Sequence, residues 1–393
     1  MSVSHTITGG LVHLSGNPIQ ITLTASAARL NHKLALRVTC KSMAGVELFG
    51  SPFIEEIAPN NLVSVFDISG LVDFPADYGF NFPITGGCNP HDLLSTVVTF
   101  EIGEIWTDAN GDRQTSFTAA SDTLRVLKGR LRPYELALLN EVGKSFASEY
   151  IDGGKFLTNL PDYQKVGPYQ VCMLWFLGPW PGESHMFYMN LKISTDQGRE
   201  IHKSFVNTYW SITGLLEFEF ARFHQDFWDD FLWGEKHLTY DFWLSNNQDG
   251  TDEVSEHRHY IIDYSYYEQS VYLYAVNPLS GIDMYWFRGE QKQGLTTELE
   301  TAVRPVPIGS GTTVASVKTT SAKSQRTWKI NTGFRSRDEM LSLRDLLESK
   351  QIWIVDAVDS RLMSVTVEAG DFTLFDSMED LNSLEIKVVE AHV

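Results

Sequence analysis

The run Phe227-Trp228-Asp229-Asp230-Phe231-Leu232-Trp233-Gly234-Glu235 sets carboxylates among large rings. Glycoside hydrolysis uses two carboxylates flanking a sugar, with rings to stack on it. Asp229 and Glu235 are the pair such an enzyme would need. No second feature singles them out, and rings alternating with acids also describe an element with one buried face, which is the expectation here. Ser245 to Glu256 resembles a calcium loop, with Asn247, Asp249, Gly250 and Glu256 at oxygen-ligand and glycine positions. Ser245 stands where that motif wants an aspartate, and Asp249-Gly250 is a common turn pair, so a solvated hairpin loop is expected. His257-Arg258-His259 puts two imidazoles on one face of a strand, which permits metal binding. With no cysteine or third histidine close in sequence, a polar strand face is the plainer reading, and no metal or cofactor is assigned. Gly-x-Ser-x-Gly and the phosphate-loop pattern are both absent. Cys172, in the apolar stretch Val171 to Leu177, reads as a buried small hydrophobe. The rings between Phe218 and Tyr267 read as core rather than as a sugar platform, because rings dominate cores and subunit interfaces alike.

The elements that must carry these residues are mostly strands. Ile19, Ile21 and Leu23 alternate with polar neighbours, as do Leu34, Leu36 and Val38. Val97 to Trp106 and Gln114 to Leu127 flank Asp108-Ala109-Asn110-Gly111, a hairpin signal. Met186 to Ser194 and Glu200 to Phe205 flank Asp196-Gln197-Gly198 in the same way. A short helix is predicted over 134–142, closed by Gly153-Gly154. A clearer one follows Ser336, which caps with Glu339 and carries the stripe Met340, Leu343 and Leu347. The fold expected is mainly β and multi-domain. It has a β-sandwich-like domain over 1–129, a second strand-rich domain over 130–275 and a C-terminal α+β domain over 276–393. Residues 305–325, rich in Ser, Thr, Gly and Lys, are expected to form a loop or extended arm.

The 393 residues carry a formal charge of −19, which disfavours nucleic-acid partners. No 18-residue apolar run is present, so membrane insertion is not expected. The N-terminal stretch lacks the pattern of a secretory signal, and three scattered cysteines form no disulfide framework. Charge is polarised. Residues 214–270 hold thirteen acids against three basic residues, whereas 301–337 hold seven basic residues, including Arg304, Lys318, Lys323 and Arg326, and no acid. Such segregation can steer copies of a chain together. Arg304, Lys318, Lys323 and Arg326 on one side, and Trp228, Asp229, Asp230 and Trp233 on the other, are therefore the candidate interface residues.

Four stretches carry a resemblance. Ser15-Gly16-Asn17-Pro18-Ile19, Phe156-Leu157-Thr158-Asn159, Asn277-Pro278-Leu279-Ser280-Gly281-Ile282-Asp283 and the segment 328–356 resemble, in the same order, stretches of virion proteins encoded by tailed phages and prophages of Bacteroidota-type bacteria. Ser280 stands where a second glycine is expected. The resemblance implies a tail or baseplate component without catalytic residues. Such a protein would be assembled in the host cytoplasm into the virion tail, as a homo-oligomeric ring contacting other tail proteins. The competing expectation is a carbohydrate-binding adhesin gripping a host glycan through Trp228 and Trp233; a glycoside hydrolase ranks below both.

Overall fold

Period-two alternation builds the first two sheets. In the computed structural model, which describes residues 3–42, 46–48, 50, 52–72, 88–91, 95–167, 173–177, 187–207, 215–219, 235–267, 270–303, 317–355, 362–376 and 382–391, the protein is mainly β, with several sheets. Val3–Ile7, Gln20–Ala25 and Val63–Asp67 pair as an antiparallel sheet with Gln20–Ala25 in the middle. A five-stranded sheet runs in the order Val12–Leu14, Arg113–Leu127, Ser95–Thr107, Lys33–Lys41, Phe53–Ile57. Ile19, Ile21, Leu23 and Phe66 from the first pack against Leu34, Leu36, Val38, Val98, Phe100, Leu124 and Val126 from the second, a sandwich-like core. Each such buried side chain contributes about 1.5–3 kcal/mol. At the tip of the Ser95–Thr107 and Arg113–Leu127 hairpin, Asp108 Oδ1 accepts from the N–H groups of Asn110 and Asp112, and Gly111 takes φ 89°.

The chain gathers into two units, Met1–Tyr264 with Val276–Asp283, and Ser265–Ala275 with Met284–Val393. Besides the sandwich, the first unit holds a three-stranded sheet (Met173–Leu177, Leu215–Glu219, Cys88–His91) and a five-stranded one. The latter runs Gln164–Val166, Arg258–Ile262, His237–Ser245, Phe187–Thr195, Glu200–Asn207. The predicted short helix is Pro133–Glu141, with Glu135 accepting from the Arg132 N–H. It stops at Gly143 (φ 69°) rather than at Gly153-Gly154, because a π-helical turn, Ala147–Ile151, intervenes.

Three of the four stretches quoted above lie in this unit, and two of them, 156–159 and 277–283, meet directly. Asn277 is buried; its Nδ2 donates to the Leu157 carbonyl (2.8 Å), and its Oδ1 accepts from the N–H groups of Leu279 (2.9 Å) and Gly281 (3.0 Å). Thr158 donates to Asp283 at 2.6 Å, and the Arg130 N–H donates to the Pro278 carbonyl at 2.8 Å. Asn17 clasps Leu131, accepting from its N–H and donating to its carbonyl. Gly281 has no room for a Cβ, which would lie 2.4 Å from the Leu157 carbonyl oxygen. Ser280 sits at φ 79°, the left-handed region that favours glycine.

The second unit is built on a seven-stranded sheet: Ile282–Phe287, Val271–Val276, Ile352–Val355, Leu362–Val367, Glu385–Glu390, Val317–Asn331, Gln291–Val303. Helix Arg337–Glu348 forms the predicted capping box, with Ser336 Oγ accepting from the Glu339 N–H and Glu339 Oε2 from the Ser336 N–H. Its buried apolar residues are Met340, Leu343 and Leu346, while Leu347 is half-buried. Arg335 ties the helix start to the sheet, donating to the carbonyls of Thr332 and Trp286 and pairing with Glu339.

Candidate functional site

Two features stand out by chemistry: a ribbon in the second unit, and a ring-and-carboxylate face in the first. Of the loop or extended arm expected over 305–325, residues 305–316 lie outside the described residues, and the rest forms an extended arm rather than a loop. In its described part that segment is strand, pairing in register from Val303 opposite Val317 to Gln291 opposite Ile330, with a shift at Glu300/Thr301. A ladder needs backbone groups rather than bulky side chains, so a Ser/Thr/Lys-rich stretch can supply one. Only Thr327–Asn331 continue into the sheet, against Glu385–Val389. Beyond Gln325, whose side chain reaches the Glu390 carbonyl, two strands run on with no further partner among the described residues. One ribbon face continues outward from buried Trp328 and Ile330 through Leu295 (63% exposed), Leu299 (59%) and Ala322.

The ribbon also brings acids to the basic segment. Glu298 lies directly opposite Lys323, so the two strands together hold five basic residues against two acids, and the acid-free stretch is not an acid-free surface. Arg326 sits half-buried at the base, its N–H donating to the Glu390 carboxylate. Lys318 lies within the ladder opposite Ala302. Arg304, Trp228, Asp229, Asp230 and Trp233 lie outside the described residues, as does Cys172. Glu235 is buried against Arg199 at 2.9 Å. The oxygens of the calcium-like loop are taken by protein N–H and O–H groups, mostly its own, as in a hairpin loop. Asp249 accepts from Thr251, Asn247 Oδ1 accepts from the Asp252 N–H, and Glu256 accepts from the distant Phe156 N–H. Of the rings between Phe218 and Tyr267, Tyr240, Phe242, Trp243 and Tyr260 are core.

The second feature grows from strand pairing. Asp241 lies directly across from His259, and His257 precedes it by two residues on the same face. Asp241 Oδ1 stands 2.8 Å from His257 Nδ1 and 3.5 Å from His259 Nε2. The outer nitrogens also face carboxylates. His259 Nδ1 is 2.8 Å from Asp162 Oδ2, and His257 Nε2 is 3.3 Å from Glu253 Oε1. Asp162 further accepts from the His259 N–H at 2.6 Å. Burial raises the Asp162 pKa, but the backbone N–H and ring of His259 outweigh it and hold the carboxyl below its ordinary value. Rings clamp both imidazoles. Tyr163 stacks on His259 (4.7 Å, 7°) and Trp243 on His257 (4.6 Å, 14°), with His202 stacked beyond Trp243. Tyr163 holds φ 60°, an outlier for a bulky residue, and outliers of this kind cluster at functional sites. Of the cations nearby, Lys192, in line with Asp241, pairs with Glu200 at 2.9 Å, and Arg258 donates to the Leu160 carbonyl while its charge adds to the lowering at Asp162. The histidine pair is legible in sequence, with Glu253 four residues before His257; Asp162 and Asp241 reach it only through the fold.

No family model and no curated protein matches the chain. Among solved structures, the crystal structure of tripeptidyl peptidase 2 (TPP II) is similar at 10% identity with a TM-score of 0.13. The match covers 99% of this chain and 32% of that one, so the chain spans about a third of the length of the peptidase, and a likeness this slight carries no argument.

Proposed function

We propose that the chain is a structural component of a tailed-phage virion, in the tail or baseplate, and works by holding copies of itself and other tail proteins together. The observation that carries this reading is the ribbon Gln291–Val303 with Val317–Asn331. A two-stranded ribbon outside a sheet is marginal on its own, and its open edges invite a further strand. Two leucines on one of its faces, Leu295 and Leu299, are displayed to solvent. Its excess of basic residues matches the acidic excess of 214–270, so a neighbouring copy is drawn to it by charge and retained by strand pairing. The four recurring motifs, two of them a packing joint, fit a scaffold rather than a catalyst.

The test is assembly at low salt, followed by light scattering behind a sizing column and by negative-stain microscopy. The wild-type chain is expected to form a closed oligomer. Lys318→Glu, Lys323→Glu and Arg326→Glu in combination are expected to abolish it. Leu295→Asp with Leu299→Asp is expected to do the same while shifting stability by no more than about 0.5 kcal/mol, as exposed positions allow. Unaltered assembly in both variants, or a wild-type chain that stays monomeric at every concentration, overturns the proposal.

A further inference from the structure

An imidazole at neutral pH ordinarily carries one N–H and one lone pair. At the face described above, each of the two rings meets a carboxylate oxygen at both nitrogens. His259 lies between Asp162 and Asp241, and His257 between Asp241 and Glu253. His259 Nδ1 lies 2.8 Å from Asp162 Oδ2, and its Nε2 faces Asp241 Oδ1 at 3.5 Å. Such a face asks for a positive charge between the groups. Three carboxylates surround two imidazoles, while of the neighbouring cations Lys192 pairs with Glu200 and Arg258 donates to the Leu160 carbonyl.

We infer that Asp241, His257 and His259 bind a divalent first-row transition cation of the zinc class. One donor atom from each of the three lies within 4.8 Å of the others. Donors around a tetrahedral ion at ~2.1 Å stand ~3.4 Å apart, so the groups need only small shifts to close on it. The mixed nitrogen and oxygen donors select a transition ion over calcium or magnesium, which prefer oxygen alone. Asp162 and Glu253 take the outer nitrogens, the arrangement in which a carboxylate fixes the tautomer of a ligating histidine. Tyr163 and Trp243 fix the ring planes. The side chains of Asp241, His257 and His259 are 23%, 30% and 29% exposed, so an ion can enter from solvent and keep a water as its further ligand. The role is structural: the ion would lock Arg258–Ile262 and the Asp162 loop to His237–Ser245 on one face of the sheet.

The full chain, stripped with a chelator, is titrated with zinc chloride by calorimetry. One equivalent is expected, weakened roughly tenfold or more in His257→Ala, His259→Ala and Asp241→Asn, with the fold checked by circular dichroism. Asp162→Asn, at a positioning residue, is expected to weaken zinc about 10–100-fold without changing the stoichiometry. A variant-free readout runs beside it. In the wild-type chain with ring-labelled histidine, zinc is expected to shift the His257 Nδ1 and His259 Nε2 resonances, and magnesium to leave them in place. Zinc binding unchanged in the His257→Ala/His259→Ala double variant overturns the inference. So do two doubly protonated rings that zinc does not move, or an equal response to magnesium.

Discussion

Replacing Asn277 by alanine should open the joint between 156–159 and 277–283. The side chain makes three buried hydrogen bonds, to the Leu157 carbonyl and from the N–H groups of Leu279 and Gly281. At ~1 kcal/mol net apiece these come to about 3 kcal/mol. Each orphaned backbone group adds up to ~1–3 kcal/mol where water cannot reach it. A loss of about 3–5 kcal/mol is therefore expected from the first unit, against a total of ~5–15 kcal/mol for a typical domain. Hydrogen exchange read by mass spectrometry is the suitable assay, because two units need not melt together. Peptides spanning 277–283 and 156–159 should both lose protection, since the bond to Leu157 links them. Trp175 should report the same opening by fluorescence, its Nε1–H being bonded to the Ile282 carbonyl. A loss below about 1 kcal/mol, or exchange that rises in 277–283 alone, would show that the joint is held by packing rather than by this amide.

Three further outcomes concern the helix start and the buried thiol of Cys40. Ser336→Ala should cost the second unit about 1 kcal/mol in urea denaturation, since it deletes half of the capping box. For Glu339, burial raises the carboxyl pKa, but the Arg335 charge and the Ser336 hydrogen bonds outweigh it and hold the value below the ordinary range. A group depressed in the folded state stabilises above its unfolded pKa and loses that contribution as pH falls through the folded one. Wild type should therefore lose stability more steeply than Glu339→Gln below roughly pH 4.3; parallel pH profiles would exclude the ion pair as the cause. Burial pushes the Cys40 thiol up to about 11. Iodoacetamide at pH 8 should leave it unmodified until the sandwich unfolds, as read by peptide mapping; labelling at the rate of an exposed thiol would contradict its burial.

What the sequence disclosed followed the range of the forces involved. Strands such as Gln20–Ala25 and Lys33–Lys41 were legible because one buried face forces period-two alternation. Helix Arg337–Glu348 was legible because its cap is local, although its inner stripe runs through Leu346 rather than Leu347. Ser280 was expected to be glycine, and its φ of 79° supplies the steric reason. The outer part of the ribbon was hidden because it packs on no core, so polar residues fill most positions on both its faces. Glu298 opposite Lys323 shows why a charge window misleads: the partner strand supplies the missing sign. The ring-and-carboxylate face was half visible, since His257 and His259 are near neighbours whereas Asp162 stands 97 residues from His259.

Strand Val271–Val276 lies between Ile282–Phe287 and Ile352–Val355 in its sheet, and every residue of Ile282–Phe287 is buried. During synthesis this oily hairpin leaves the ribosome about 65 residues ahead of the strand that will shelter it. At roughly 5–20 residues per second, it waits some 3–13 s. The nascent chain thus offers a chaperone a defined sticky segment for seconds at a time. A gene fragment begun at residue 276, the boundary expected from sequence, would discard an inner stave of the sheet and yield insoluble protein.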